Sequence, residues 1–214
     1  MSKILVLDFG GQYKELIARR IRSLNVYSEI ISGNSTAEEI LGKKPDGIIL
    51  TGGPNSVYLP DSQLCAPELF NIGIPVLGIC YGMQLMVHTL GGRVAKGDVS
   101  EFGVVNAVYR GEPRDVLMSH GDRVWELPEG FTVTASTKDC PIAAAENPQR
   151  KLYAVQFHPE VTLTERGTEI IEDFLFNVCG VQRDYFLDDV IETLCAQIRE
   201  QVGNDKILLG LSGG

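Results

Sequence analysis

The stretch VLGICYGMQ, residues 76–84, sets one cysteine between two glycines where an apolar run gives way to a helical pattern. This is the G-x-nucleophile-x-G spacing of a strand-to-helix elbow, with Cys80 in the nucleophile's place. Gly78 and Gly82 allow the turn to be sharp, and a thiol at a helix N-terminus lies near partial positive charge, which favours the reactive thiolate. The plain alternative is a core cysteine, because cysteine is among the most often buried residue types. A thiol nucleophile needs a base, and the base needs an orienting group. The chain has three histidines. His88 falls inside the helix after the elbow, and His120 falls in an expected turn, MSHGD, where it is structural or lines a pocket. His158 closes the apolar stretch of VQFHPE, and Glu160 follows on the same side of an extended chain, where its carboxylate can fix the ring and favour the protonated form. Pro159 keeps that segment extended. Alone, His-Pro-Glu also fits an ordinary strand exit; beside the cysteine elbow it makes a Cys80–His158–Glu160 triad the sharper reading. The oxyanion of an acyl transfer would be met by the N–H groups of Gly53, in ILTGGPNS, and Tyr81, unless Gly52-Gly53 is a plain glycine turn. DFGGQ near the start resembles a phosphate loop but lacks G-x-G-x-x-G, and it is not taken as a nucleotide site.

These residues need a scaffold that delivers strand ends to one edge. KILVLDF, YSEIIS, DGIILTGGP and IPVLGI are strand-like, and they alternate with the helical patterns YKELIARRIRSL, TAEEILGKK (capped by Ser35 or Thr36) and YGMQLMVHTL. Continuous apolar strands alternating with helices predict a three-layer αβα, flavodoxin-like, mostly parallel sheet, whose carboxyl strand ends share one edge. From Val94 to Phe157 the pattern changes to VVNAVYR, TVTAST and LYAVQF, which predict added, largely antiparallel strands. A last amphipathic helix, residues 164–180, closes on Gly180, where the first domain is expected to end. A helical stretch over 181–205 then leads to an apolar strand and a glycine turn over 206–214, with Leu208–Leu211 at the strand's centre and Ser212, Gly213 and Gly214 in the turn.

Composition limits the partners. At 214 residues with 44% hydrophobic and 22% charged residues, the chain has the make-up of a globular α/β domain. A net charge of −9 opposes general binding to nucleic acid or anionic membranes, which needs a basic face, and a small-molecule substrate fits better. Cys65, Cys80, Cys140, Cys179 and Cys195 form no CxxC pair or metal-finger spacing, and no signal peptide precedes them. A reducing, cytoplasmic setting without a metal site is expected. No apolar run reaches the roughly 20 residues that cross a bilayer.

In order and separation, TGGP, GICYGMQ and FHPE resemble the class I glutamine amidotransferases, which hydrolyse the side-chain amide of glutamine and pass ammonia on. LDFGGQY, IARRIR, TGGPNSVY, EFG, MSHGD and VQFHPEV are similar to the branch of that family joined to an ATP pyrophosphatase domain. The resemblance runs over residues 4–180 and continues through IREQVG and LLGLSGG. It implies Cys80 as nucleophile, His158 as base, Glu160 as its partner, and Gly53 and Tyr81 as oxyanion donors. Glutamine would be held by Gln84 and by the backbone around Ser119, Gly121 and Asp122. LSGG would open an ATP phosphate loop, so that the chain stops inside it; ATP and Mg²⁺ would serve the adjoining domain in aminating xanthosine monophosphate, in a homodimeric whole. Glutamine hydrolysis itself would need no cofactor. Gly11 stands where the family usually has Ser, and Leu117 where Trp is common. Other readings are an amidotransferase subunit of another pathway such as anthranilate or aminodeoxychorismate synthesis, a cysteine hydrolase of the same fold acting on peptides or folate γ-glutamyl bonds, and a noncatalytic flavodoxin-like module with a structural Cys80.

Overall fold

The computed structural model of the chain describes residues 1–203 and 205–210. Its first half alternates strand and helix: β1 Lys3–Asp8, α1 Lys14–Ser23, β2 Tyr27–Ser32, α2 Ala37–Gly42, β3 Gly47–Leu50, β4 Val76–Ile79 and α3 Tyr81–Thr89. Five strands follow, β5 Arg93–Tyr109, β6 Glu112–Glu126, β7 Thr132–Ser136, β8 Ala144–Asn147 and β9 Leu152–Val155, then α4 Gly167–Glu172 and α5 Leu187–Val202. They build one nine-stranded sheet in the order β2-β1-β3-β4-β9-β8-β7-β5-β6. The first five in that order pair in parallel and the rest antiparallel, which is the expected parallel sheet with added antiparallel strands.

Period-2 alternation assigns each parallel strand two faces, and both are buried. Ile4 and Val6 of β1, Ile49 of β3, and Leu77 and Ile79 of β4 pack with Ile17 and Ile21 of α1 and with Ile170, Ile171 and Phe174 in and just after α4. Their strand neighbours Leu5, Leu7, Ile48, Leu50 and Val76 pack on the opposite face with Ile40 of α2 and Met83, Leu85 and Met86 of α3. The three layers are therefore a consequence of continuous apolar strands. Thr36, one of the two expected caps, starts α2 through a capping box with Glu39.

Three expectations of local structure need correction. The MSHGD segment is not a turn. It lies inside β6, because pairing with β5 continues through it, His120 opposite Glu101 and Asp122 opposite Lys96, with residues 97–100 bulging from the partner strand. The helix expected over 164–180 is α-helical only from Gly167, and it widens into a π-helical turn over Asp173–Val178. Gly180, at φ +67°, ends that helix without ending the packing. Val181 is buried, the Gln182 N–H donates to Ser2 Oγ, and the Tyr185 N–H donates to the Asn25 carbonyl. Beyond α5, residues 206–210 form no strand and Leu208 is 99% exposed, as isolated apolar chain is without a neighbour to accept its backbone hydrogen bonds. Ser212, Gly213 and Gly214 lie outside the described residues. Among the described residues no helix is long and apolar enough to cross a membrane.

Candidate active site

The elbow is built by close backbone contact. Cys80 adopts φ 55°, ψ −108°, an unfavourable conformation for a residue with a side chain, and its N–H donates to the Val155 carbonyl at the end of β9. A Cβ on Gly78 would lie 2.6 Å from the Gly82 backbone, and one on Gly82 would lie 2.5 Å from the Leu50 carbonyl oxygen. Both positions require glycine because strand, helix and the neighbouring strand meet there. Gly78→Ala is accordingly expected to destabilise the fold by about 1–3 kcal/mol or more, since backbone cannot move aside as a side-chain tip can. A chemical denaturation midpoint unchanged from that of the parent would contradict this packing.

Parallel topology carries the other site residues to the same sheet edge. His158 follows β9, and β9 adjoins β4, so the histidine arrives beside Cys80. His158 Nδ1 lies 2.7 Å from Glu160 Oε1, and because a carboxylate only accepts, Nδ1 carries the proton and Nε2 is left for the Cys80 thiol. Glu160 is fully buried, its Oε2 has no hydrogen-bond partner among the described residues, and its carbonyl accepts from Arg20 of α1. Tyr13 meets the His158 ring edge-on. Burial opposes a charge on His158, but hydrogen bonds to Cys80 and Glu160 outweigh it and push the imidazole pKa up to about 10. The ring therefore holds its proton through neutral pH.

The sign of this shift fixes a pH dependence. A pKa raised from 6.5 to about 10 in the folded state contributes stability that is complete below pH 6.5 and is lost as pH rises toward 10. The stability advantage of the parent over His158→Gln should shrink across that window, and the His158 ring resonances should not titrate near pH 6.5. A ring that deprotonates near 6.5 would mean that the partners do not support the charge.

A cleft of about 450 Å³ opens over Cys80 and His158 and is also lined by Gly53, Tyr81, Gln84, Ser119, Gly121 and Asp122. All of these expected site residues thus border one space; Glu160 stands behind His158. Neither the Gly53 nor the Tyr81 N–H donates to a protein acceptor among the described residues, and Tyr81 is the first residue of α3, where helix N–H groups have no partner within the helix. Gly53 packs against the Phe9 carbonyl and the Tyr81 ring, whereas Gly52 is the glycine facing the reacting groups: a Cβ there would stand 3.4 Å from His158 Cε1 and 3.7 Å from Cys80 Cβ. Gly11 has its Cβ direction closed by the Gly52 carbonyl oxygen at 2.4 Å, so the DFGG loop buttresses this turn.

One expectation changes in detail, and one buried residue was not foreseen. Gln84 lines the cleft, but its amide nitrogen is already engaged, donating to the Asp122 carbonyl at 2.9 Å and to Gln156 Oε1 at 3.0 Å. Gln156, which sequence reasoning passed over, is fully buried and directs its own amide nitrogen at Cys80 Sγ, 3.6 Å away. A glutamine inside the apolar stretch LYAVQF, two residues before His158, was the available signal. His120 lines the cleft, with Nδ1 2.9 Å from the Asp122 carbonyl and Nε2 3.0 Å from Glu101 Oε2. Glu101 Oε1 accepts from Thr137, and the Cys140 thiol, close to both, donates to the Ile142 carbonyl. His88 is part-buried in the last turn of α3, away from the cleft's lining.

The sheet's topology brings together an elbow cysteine and a His–Glu pair, the groups that a thiol-dependent acyl transfer needs. The family model for class-I glutamine amidotransferases matches residues 5–178, and the chain belongs to that family. It is 50% identical, over its whole length, to the GMP synthase [glutamine-hydrolyzing] of Lactobacillus johnsonii, and 49% identical over 99% of its length to that of Syntrophomonas wolfei. In each case it spans about 43% of the relative's length. Among solved structures it is similar to a protein of Thermoplasma acidophilum described as a GMP synthase component, with TM-score 0.73 and 32% identity over 84% of this chain and 94% of that one. A glutamine amidotransferase of Thermotoga maritima shares the fold at TM-score 0.59 and 20% identity, over 94% and 92% of the two chains.

Proposed function

We propose that this chain is the glutaminase part of a GMP synthase, hydrolysing glutamine to glutamate and ammonia on Cys80. The observation that carries this reading is the buried, carboxylate-backed His158 beside an elbow cysteine at the floor of a polar cleft. The Cys80 thiolate, paired with protonated His158, attacks the side-chain carboxamide carbon, and the N–H groups of Gly53 and Tyr81 take the oxyanion. His158, protonated at neutral pH, gives its proton to the departing nitrogen, and the C–N bond breaks to leave a γ-glutamyl thioester and ammonia. His158 then takes a proton from water, hydroxide adds to the thioester carbon, and glutamate leaves as the Cys80 thiolate and protonated His158 are restored. Glu160 keeps the proton on Nδ1 throughout. The lining residues Gln84, Ser119, Gly121 and Asp122 hold the amino-acid end of the substrate.

The relatives' names support amination of xanthosine monophosphate as the use of the ammonia. ATP and Mg²⁺ would activate that acceptor on the part of the relatives that this chain does not span, in a homodimeric cytoplasmic enzyme. Similarity at about 50% identity to GMP synthases over the full chain favours this acceptor over those of other amidotransferase pathways. Glutamate release from free glutamine, measured beside γ-glutamyl peptides and with or without ATP and xanthosine monophosphate, tests the reading. Turnover of glutamine, unaltered by the nucleotides, is expected. Preference for the peptides would point to a γ-glutamyl hydrolase, and several-fold stimulation would place a nucleotide site within these 214 residues.

A further inference from the structure

Asp122 sits at the mouth of the cleft and is held from three elements at once. Its carbonyl accepts from Gln84 of α3 and from His120, which Glu101 of β5 holds from behind. These bonds fix its backbone in β6 and leave only the side-chain torsions free. One carboxylate oxygen, Oδ1, accepts from the Tyr58 hydroxyl at 2.9 Å. Tyr58 lies between β3 and β4, two residues after Ser56 in the segment whose Pro54, Asn55 and Ser56 line the cleft, so this bond ties that segment to the lining residue Asp122 of β6. The second carboxylate oxygen accepts from no group among the described residues, which leaves it available to a ligand in the cleft that Asp122 lines. A carboxylate presented in this way complements an ammonium group, and its orientation depends on the phenol because no other group among the described residues donates to it.

We propose that Tyr58 is a positioning residue that aims the Asp122 carboxylate at the ammonium group of an α-amino acid, and so selects amino-acid amides over amides that lack the α-amino group. The inference rests on the glutaminase reading and adds the residue that sets its selectivity. Tyr58 is 42% exposed and, among the described residues, its hydroxyl bonds only to Asp122, so Tyr58→Phe keeps the ring and the fold. Hydrogen bonds to charged groups exceed neutral ones, and partial exposure reduces the benefit, so loss of this one should weaken ligand binding about 5- to 10-fold.

The test is the rate at which an electrophilic glutamine analogue alkylates Cys80, resolved into an inactivation constant KI and a limiting rate. Tyr58→Phe should raise KI by that factor and leave the limiting rate within about twofold. Against the same electrophile without the α-amino group, parent and variant should have the same KI. In an Asp122→Asn background, Tyr58→Phe should add little. Equal KI values for parent and Tyr58→Phe with the amino-bearing analogue, or an equal rise with the desamino analogue, would overturn the assignment. If the parent itself shows no saturable labelling, the glutaminase reading fails and this inference fails with it, which is a different result from saturable labelling that ignores Tyr58.

Discussion

Cys80→Ala is expected to abolish glutamate release, with a loss on the order of 10⁴-fold or more, because no other group can form the acyl intermediate. The remaining cysteines are poor substitutes. Burial pushes the thiols of Cys65, Cys140 and Cys179 up to about 12, and Cys195 lies exposed on α5, outside the cleft lining. Alanine keeps a Cβ and so inherits the strained backbone of Cys80, and the neighbouring Gly78 and Gly82 contacts are untouched. The variant should therefore fold, and its circular dichroism and denaturation midpoint should stay near those of the parent. Residual glutamate release above about one-hundredth of the parent rate, in a folded variant, would assign the nucleophile elsewhere.

The second large effect belongs to His158. It donates the proton that lets ammonia leave and later withdraws one from water, and acid–base catalysis of this kind contributes about 10²–10⁴-fold. His158→Ala should lose activity in that range. Glu160→Gln should lose less, because the imidazole remains beside Cys80 while its tautomer and charge are no longer fixed by a carboxylate. Glu160 is completely buried, so its variants also need a folding control. A Glu160→Gln enzyme worse than His158→Ala, with both folded, would reverse the roles assigned to the pair.

The parallel half and the reacting groups were legible because their signals are local. Apolar runs such as GIIL and IPVLGI announce buried strands, and His158 and Glu160 meet as their i, i+2 spacing suggests, although a turn at Pro159 and Glu160 rather than extended chain brings them together. What escaped depends on neighbours distant in sequence. Gly121 and Asp122 are turn formers, yet the ladder between β5 and β6 absorbs them, and the bulge needed to do so falls on residues 97–100 instead. Gly180 marks a helix end, and the bonds that tie the following residues back, from Gln182 to Ser2 and from Tyr185 to Asn25, have no sequence signal. The Tyr58–Asp122 bond joins residues 64 positions apart and has no sequence pattern at all. The terminal apolar run shows the reverse case, a strand pattern without a strand, because pairing is a property of two segments.

The central claim is that Cys80 is a nucleophile matched to glutamine, and mass spectrometry after exposure to an electrophilic glutamine analogue tests it most directly. One adduct per chain is expected, mapped to the peptide containing Cys80, suppressed by excess glutamine and absent from Cys80→Ala. Exposed Cys195 provides an internal comparison, since it is accessible without a surrounding cleft. Labelling chiefly at Cys195 or another cysteine, or labelling of Cys80 that glutamine does not suppress, would contradict it.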